Sequence, residues 1–408
     1  MVIDGVFSHT GSDSVYFNRE GRYPTPGAYN SQQSPYYPWY TFRQWPQNYE
    51  CWWNFETLPN VKETEPSFNE YINGENGIIR KWLRAGASGW RLDVADELPD
   101  QFLDNLTAAA KAESPDAVVL GEVWEDASNK TAYGVWRRYL LGGQLDTVMN
   151  YPFRDAIFAF LLGGDPRNFA ESVESSVEDY PPQCRRLLMN HIGTHDTERA
   201  LTVLGGEPAG NRCREWQAAQ SLTPEQRDTA LKRLRLASLI QYLLPGVPCL
   251  YYGDEAAVCG WTDPDRRRTY PWGHENLELI EFHRYMAGIH KRLPVFRLGS
   301  IKPLLAEHHL IAYGRMYRQY HGVVIVRNSP DSRRVEVPVW QLGITDDMVL
   351  GRPMLTVEEG YNAGIMMYHV RRGLLTIEMP AHSAAVLISR PEDFYPVVNT
   401  RFADEPDL

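Results

Sequence analysis

The sequence predicts an α/β fold: a parallel β/α array, interrupted early by an inserted loop domain and followed by an antiparallel β domain. Three observations predict it. Six short apolar strand candidates alternate with amphipathic helices between residues 2 and 293. Three acids, Asp93, Glu122 and Asp196, each follow such a strand, inside the runs GWRLDVADE (89–97), GEVWED (121–126) and GTHD (193–196). Beyond residue 293 the pattern changes to short, alternating, β-branched stretches.

Residues 2–7 read as a buried strand running into DGVFSH (4–9), and the next strand of that kind is 89–93, after an amphipathic helix over 78–85. Asp4 and Asp93 are 89 positions apart, whereas a simple crossover takes about 30 residues. The excess, residues 10–71, is rich in Pro, Tyr, Trp, Asn and Ser, which is the composition of a long surface insertion. A helix over 99–113 then precedes strand 117–122, and a helix over 133–141 precedes strand 146–150. Helices over 154–162 and 168–177 lead to strand 186–192, and a helix over 224–244 leads to strand 247–252. The helix over 277–293 carries Leu279, Phe282, Met286, Ile289 and Leu293 at helical period. The runs 310–317, 322–328, 334–340, 374–379 and 384–389 make the antiparallel domain. The expected division is therefore 1–9 with 72–293 for the array, 10–71 for the insertion and 294–408 for a C-terminal β-sandwich.

The spacing of the acids fits this array. Glu122 follows Asp93 by 29 positions, one strand–helix–strand unit, and Asp196 follows Glu122 by 74, room for two. Parallel strands end on one face, so the three carboxylates are expected in one concave acidic site, the chemistry that cleaves a glycosidic bond.

A net charge of −11 argues against nucleic acid or an anionic membrane surface as partner and favours a neutral substrate. No apolar run is long enough to span a membrane. The five cysteines are odd in number and scattered, with no metal-ligand spacing, so reduced thiols and a cytoplasmic location are expected. Aromatic residues crowd between 36 and 55. They read either as the packing of a long loop or as platforms on which sugar rings stack. Six parallel strands open on one side do not close a barrel, and the strand at residue 2 has nothing before it to pair with. Upstream β/α units are expected to be missing.

Taken together, DGVFSH (4–9), GWRLDVADE (89–97), GEVW (121–124) and NHIGTHD (190–196) resemble the motif regions of the α-amylase superfamily, glycoside hydrolase family 13. Leu58-Pro59-Asn60 and GVPCLYYGDE (246–255) extend the resemblance, which covers essentially the whole chain. Within the superfamily the motifs look most like the neopullulanase, cyclomaltodextrinase and maltogenic amylase group and related amylopullulanases. The resemblance implies an eight-stranded TIM-type (β/α) barrel, here lacking its first two βα units, with a B domain after the third strand and a C-terminal β-sandwich.

It also implies roles for residues. Asp93 matches the nucleophile, Glu122 the general acid/base, and Asp196 the acid that binds sugar hydroxyls and stabilises the transition state. Substrate-binding positions are His9, Arg91, His195, Trp124, Asp96 and Glu97, and Asp4 matches a structural acid that orients the catalytic arginine. Relatives often have Asn where Asp96 stands and His where Glu125 stands, so α-1,4 against α-1,6 preference stays open. The first region usually carries Asn where this chain has Ser8, and in many relatives that Asn ligates a structural calcium. No cofactor is therefore expected, with a structural calcium left as the alternative. Asp265–Arg268, as DRRR, reads equally as a structural loop or a rim contact.

The implied activity is a retaining hydrolase of α-glucosidic bonds in maltooligosaccharides, cyclodextrins, pullulan or starch. Two alternatives remain: a transglycosylase or isomerase of the same superfamily, and a catalytically incompetent carbohydrate-binding fragment. The sequence leaves the oligomeric state open between monomer and homodimer.

Overall fold

In a computed structural model, residues 1–394 and 401–402 are described. They form two compact units, Met1–Met149 and Asn150–Leu408.

The first unit holds four parallel strands in the order of the chain: β1 (Val2–Gly5), β2 (Gly89–Leu92), β3 (Val118–Gly121) and β4 (Thr147–Val148). Register puts Asp4 opposite Arg91 and Leu92 opposite Gly121. Every residue of β2 is buried, as expected of a parallel strand covered on both faces. A Cβ on Gly89 would fall 2.2 Å from the Val118 carbonyl oxygen, so this close approach of two strands requires glycine. Helix Asp100–Glu113 turns Phe102, Leu103, Leu106, Ala109 and Ala110 inward, and Phe102 packs on Phe7, which in turn meets Trp90. Within its unit β1 pairs with β2 alone among the described residues, and Val2 and Val6 are exposed.

The insertion is mostly irregular but has an aromatic core of its own. Phe17 is fully buried among Tyr29, Tyr40 and Tyr49, and Trp39 packs on Tyr16, Phe68 and Tyr71. Its last segment is helical: Pro66–Asn73 starts with Glu65 accepting from the Phe68 amide. Trp53 and Phe55 stay exposed. The aromatic crowd thus divides into core members and surface rings.

The helix expected over 133–141 is absent. Thr131–Ala132 and Val135–Trp136 form a two-stranded hairpin instead, with Tyr133 (φ 52°) and Gly134 (φ 77°) turning through the left-handed region. A Tyr-Gly pair between β-formers is hairpin chemistry, and Gly142-Gly143 removes any helical continuation.

The second unit begins with helices Tyr151–Leu161 and Pro166–Asp179 and holds β5 (Met189–Asn190) paired in parallel with β6 (Val247–Pro248). Both strands are far shorter than the runs expected at 186–192 and 247–252. Helix Pro224–Leu243 starts with a reciprocal capping box between Thr223 and Gln226. Short helices at Ala200–Gly205 and Arg214–Ala219 fill the stretch before it.

From Ser300 the chain forms an antiparallel sheet whose strand path runs Ser300–Glu307, Leu310–Tyr317, Tyr320–Arg327, Ser383–Ile388, Val349–Val357, Met366–Arg371, Leu374–Met379 and Arg333–Val337. Strand alternation explains its two cores. Val324, Val326, Val386 and Ile388 face helix residues such as Leu236, Phe282 and Ile289, while Val323, Ile325 and Leu387 face Val335, Leu375 and Ile377 of the far strands. The strands at Ser300–Glu307, Val349–Val357 and Met366–Arg371 were not expected from the sequence. The run expected at 334–340 ends at Val337, because Pro338 starts a 3₁₀ turn over Val339–Leu342. All five cysteines are free. No helix among the described residues is long and apolar enough to cross a membrane.

Candidate active site

The ends of β1, β2 and β3 bring Asp4, Arg91, Asp93 and Glu122 together. Arg91 lies buried on β2, and the register opposite Asp4 sets its Nη1 2.7 Å from Asp4 Oδ1. The same nitrogen is 2.8 Å from Asp93 Oδ1, two residues along the strand and so on the same face. Its Nη2 is 2.9 Å from Glu122 Oε2. Three carboxylates thus share one guanidinium, which bounds the facing oxygens of Asp93 and Glu122 to about 8 Å apart. That is close enough to flank a single bond.

Glu122 is 3% exposed. Burial pushes its carboxyl above the usual range, against Arg91, the Val94 amide and the Trp124 indole, which favour the charged form. The Val94 N–H donates to Oε2 at 2.9 Å and Trp124 Nε1 donates to Oε1 at 3.1 Å. For Arg91 burial acts downward, but Glu122, Asp4 and Asp93 outweigh it and hold the guanidinium protonated.

His9 follows β1. Its ring is 5.1 Å from Trp52, and its Nδ1 pairs with the Ser8 hydroxyl at 2.9 Å. Burial lowers its pKa while Asp93 and Glu97 pull the other way. Ser8 is buried and its hydroxyl is engaged by His9. No group of three or more His, Cys, Asp or Glu among the described residues is arranged to hold a metal ion.

Asp96 and Glu97, on the turn after Asp93, are held by partners that sequence reasoning missed. Asp96 accepts from Tyr139 at 2.6 Å and pairs with Lys130 at 2.5 Å. Lys130 also pairs with Glu125. Asp96 and Glu125, the two acids at which the sequence departs from the pattern that the resemblance implies, therefore share one ammonium, and that doubled negative charge was the available signal. Glu97 Oε1 accepts from Trp53 of the insertion at 3.1 Å and from Tyr133 of the hairpin at 2.5 Å. Reading 133–141 as helix hid that contact.

Asp196 and His195 stand on the second unit. His195 Nε2 is 3.1 Å from Asp196 Oδ2, and the Asp196 amide donates to Thr194 Oγ1 at 3.1 Å. Arg266 and Arg267 approach Asp196 Oδ1 at 3.6 and 3.7 Å, and Arg266 Nε donates to the His195 carbonyl. The DRRR loop is thus packed against the GTHD loop. Arg199 is fully buried, pairs with Asp254 at 3.2 Å and lies over Tyr251, 4.0 Å from its ring centre. Its Nε donates to the Arg266 carbonyl at 2.8 Å, which ties the two loops to the end of β6.

Comparison with known proteins agrees with these motifs. The family described as alpha amylase, catalytic domain, matches residues 1–286. Amylopullulanase of Thermoanaerobacterium thermosulfurigenes is 33% identical over 434 residues, covering 95% of this chain and 22% of the relative. Neopullulanase 2 of Thermoactinomyces vulgaris is 30% identical over 356 residues, covering 84% of this chain and 54% of the relative. A debranching enzyme structure from Nostoc punctiforme aligns with a TM-score of 0.75 at 26% identity, over 95% of this chain and 75% of that one. The chain therefore spans between about a fifth and a half of the curated relatives' length. The fold is that of an α-amylase catalytic domain, a TIM-type barrel, followed by a C-terminal antiparallel β-sheet.

Proposed function

The chain belongs to the α-amylase family, and on that premise we propose that it is a retaining glycoside hydrolase of α-glucosidic bonds in maltooligosaccharides, cyclodextrins, pullulan or starch. The observation that carries this reading is the single buried guanidinium of Arg91 shared by Asp93 and Glu122.

In this mechanism Asp93, aligned by Arg91, attacks the anomeric carbon. Glu122, whose burial favours the protonated form, gives its proton to the glycosidic oxygen as the C–O bond breaks, releasing the aglycone and leaving a glycosyl ester on Asp93. Glu122, now a carboxylate, takes a proton from water. The hydroxide attacks the same carbon from the opposite face, and Asp93 leaves with net retention. Asp196 is the third acid, binding sugar hydroxyls and stabilising the oxocarbenium-like transition state, with His195 beside it. His9, Trp124, Asp96 and Glu97 line the substrate path, and Asp4 orients Arg91. We read the six parallel strands as the third to eighth of the family's barrel, DGVFSH closing the third.

Transfer to a sugar acceptor is favoured by one observation: the Trp124 ring, 46% exposed, stands directly on Glu122 and offers an acceptor an apolar face. A product analysis on maltotriose separates the two reactions. Glucose and maltose, with the newly formed reducing end first released in the α configuration, support retaining hydrolysis. Longer sugars mark transfer, and a new reducing end first released in the β configuration overturns the mechanism.

A further inference from the structure

Val94 follows the proposed nucleophile with φ 38° and ψ 66°, in the left-handed region. Glycine or asparagine adopts that conformation readily, whereas a β-branched side chain there is a genuine outlier that its surroundings must hold in place. The surroundings are visible. Glu122 N–H donates to the Leu92 carbonyl at 2.9 Å, and Ala95 N–H donates to the Glu122 carbonyl at 3.0 Å. Between these two bonds the left-handed turn aims the Val94 N–H at Glu122 Oε2. Ala95 is fully buried, and a Cβ on Gly121 would come within 3.4 Å of its side chain, so the turn lies tight on β3.

The two oxygens of Glu122 consequently differ. Oε2 accepts from the Val94 amide at 2.9 Å and lies 2.9 Å from Nη2 of the Arg91 cation, whereas Oε1 accepts from the neutral Trp124 indole. The oxygen set against a positive charge is the poorer seat for a proton. We propose that Val94 is a positioning residue whose strained backbone amide fixes Glu122 and assigns Oε1 as the oxygen that carries the acid proton. When that proton passes to the glycosidic oxygen, the electron pair of the broken O–H bond stays on the carboxylate, and the charge is borne toward Oε2 by the Val94 N–H and Arg91. The proposal rests on Glu122 being the general acid.

The other charged groups that bear on Glu122 are Arg91, which favours the carboxylate, and Asp93, which opposes it; Asp4 acts through Arg91. Loss of the Val94 donor therefore raises the pKa of Glu122. Two measurements test this. In the wild-type protein labelled with [15N]valine, the Val94 amide proton is expected to move downfield as Glu122 ionises, with the same midpoint as the 13C signal of the Glu122 carboxyl. An amide proton that ignores that titration overturns the proposal. Second, an ester at position 94 (α-hydroxyisovalerate for valine) keeps the side chain and removes the N–H. Its carboxyl midpoint and the basic limb of kcat/KM are expected to rise by about half to one pH unit, with kcat down roughly tenfold. Val94→Gly, which keeps the N–H, is expected to leave the basic limb in place. A basic limb unmoved in the ester, or moved equally by Val94→Gly, contradicts the assignment. The two NMR midpoints need no turnover, so wild-type activity in Glu122→Gln would reject the acid role separately.

Discussion

Arg91 Nη2 lies 2.9 Å from Glu122 Oε2, on a carboxyl that is 3% exposed. The cation favours the charged form, yet burial wins and the carboxyl sits above its usual range. A general acid needs this balance: enough desolvation to hold a proton near neutrality, enough positive charge to accept the carboxylate once the proton has gone.

Replacing Arg91 by Met removes the partner of three carboxylates at once. Glu122 and Asp93 are then left mostly buried without a counter-charge. The variant is expected to lose about 3–5 kcal/mol of stability. Denaturant melts check this, and a loss under about 1 kcal/mol would mean that the ion pairs are not formed in solution.

Glu63 gives a pH signature in the insertion. Burial pushes its carboxyl up to about 8 from 4.5, helped by Glu97 and opposed by a backbone hydrogen bond. The folded state thus binds the proton more tightly than the unfolded chain. Stability from this group is complete below about pH 4.5, falls as pH rises toward 8, and is flat above. Glu63→Gln is expected to flatten that slope and to be more stable at pH 8 by about 2–4 kcal/mol. Equal slopes for the two proteins would refute the assignment.

Arg199 and Asp254 are 0% and 1% exposed in their side chains. Arg199→Met alone strands the Asp254 carboxyl and is expected to cost about 3–5 kcal/mol. Adding Asp254→Asn removes the stranded group, so the double variant is expected to recover part of that loss. Strict additivity in thermal melts would show that the pair is not coupled.

Trp53 and Tyr133 converge on Glu97 from elements on either side of it in the sequence. Tyr133→Phe frees one side of that carboxylate. If Glu97 faces the acceptor, the transfer-to-hydrolysis ratio on maltotriose is expected to change about two- to tenfold, with little effect on folding. An unchanged ratio would remove Glu97 from the acceptor side.

What the sequence disclosed follows its periodicities. Helix Pro224–Leu243 differs from its expected span by one residue at its end, because Thr223-Pro224 and Gln226 mark its start and apolar positions recur along it. The Arg91-Leu92-Asp93 pattern at the end of β2 was legible too, since Arg91 and Asp93 alternate onto one face of a strand. The hairpin at Thr131–Trp136 was not, because Val, Trp, Tyr and Leu at mixed spacing suit a helix as well as a strand when the Tyr133-Gly134 turn is not weighted. Strand Val349–Val357 was missed because Gly351 and Pro353 interrupt it; a register shift between Gly351 and Met354 absorbs both. Within the site, carboxylates and their arginine were visible as motifs. The left-handed Val94 was not, since nothing in a valine announces positive φ.

The most direct test of the account is to trap the covalent intermediate. A 5-fluoro-α-glucosyl fluoride slows the second step more than the first, so the glycosyl ester accumulates and survives peptide mass spectrometry. The account predicts one added sugar per chain, carried on the peptide containing Asp93 and absent from Asp93→Asn. A sugar on any other residue, or turnover of Asp93→Asn at the wild-type rate, would contradict it.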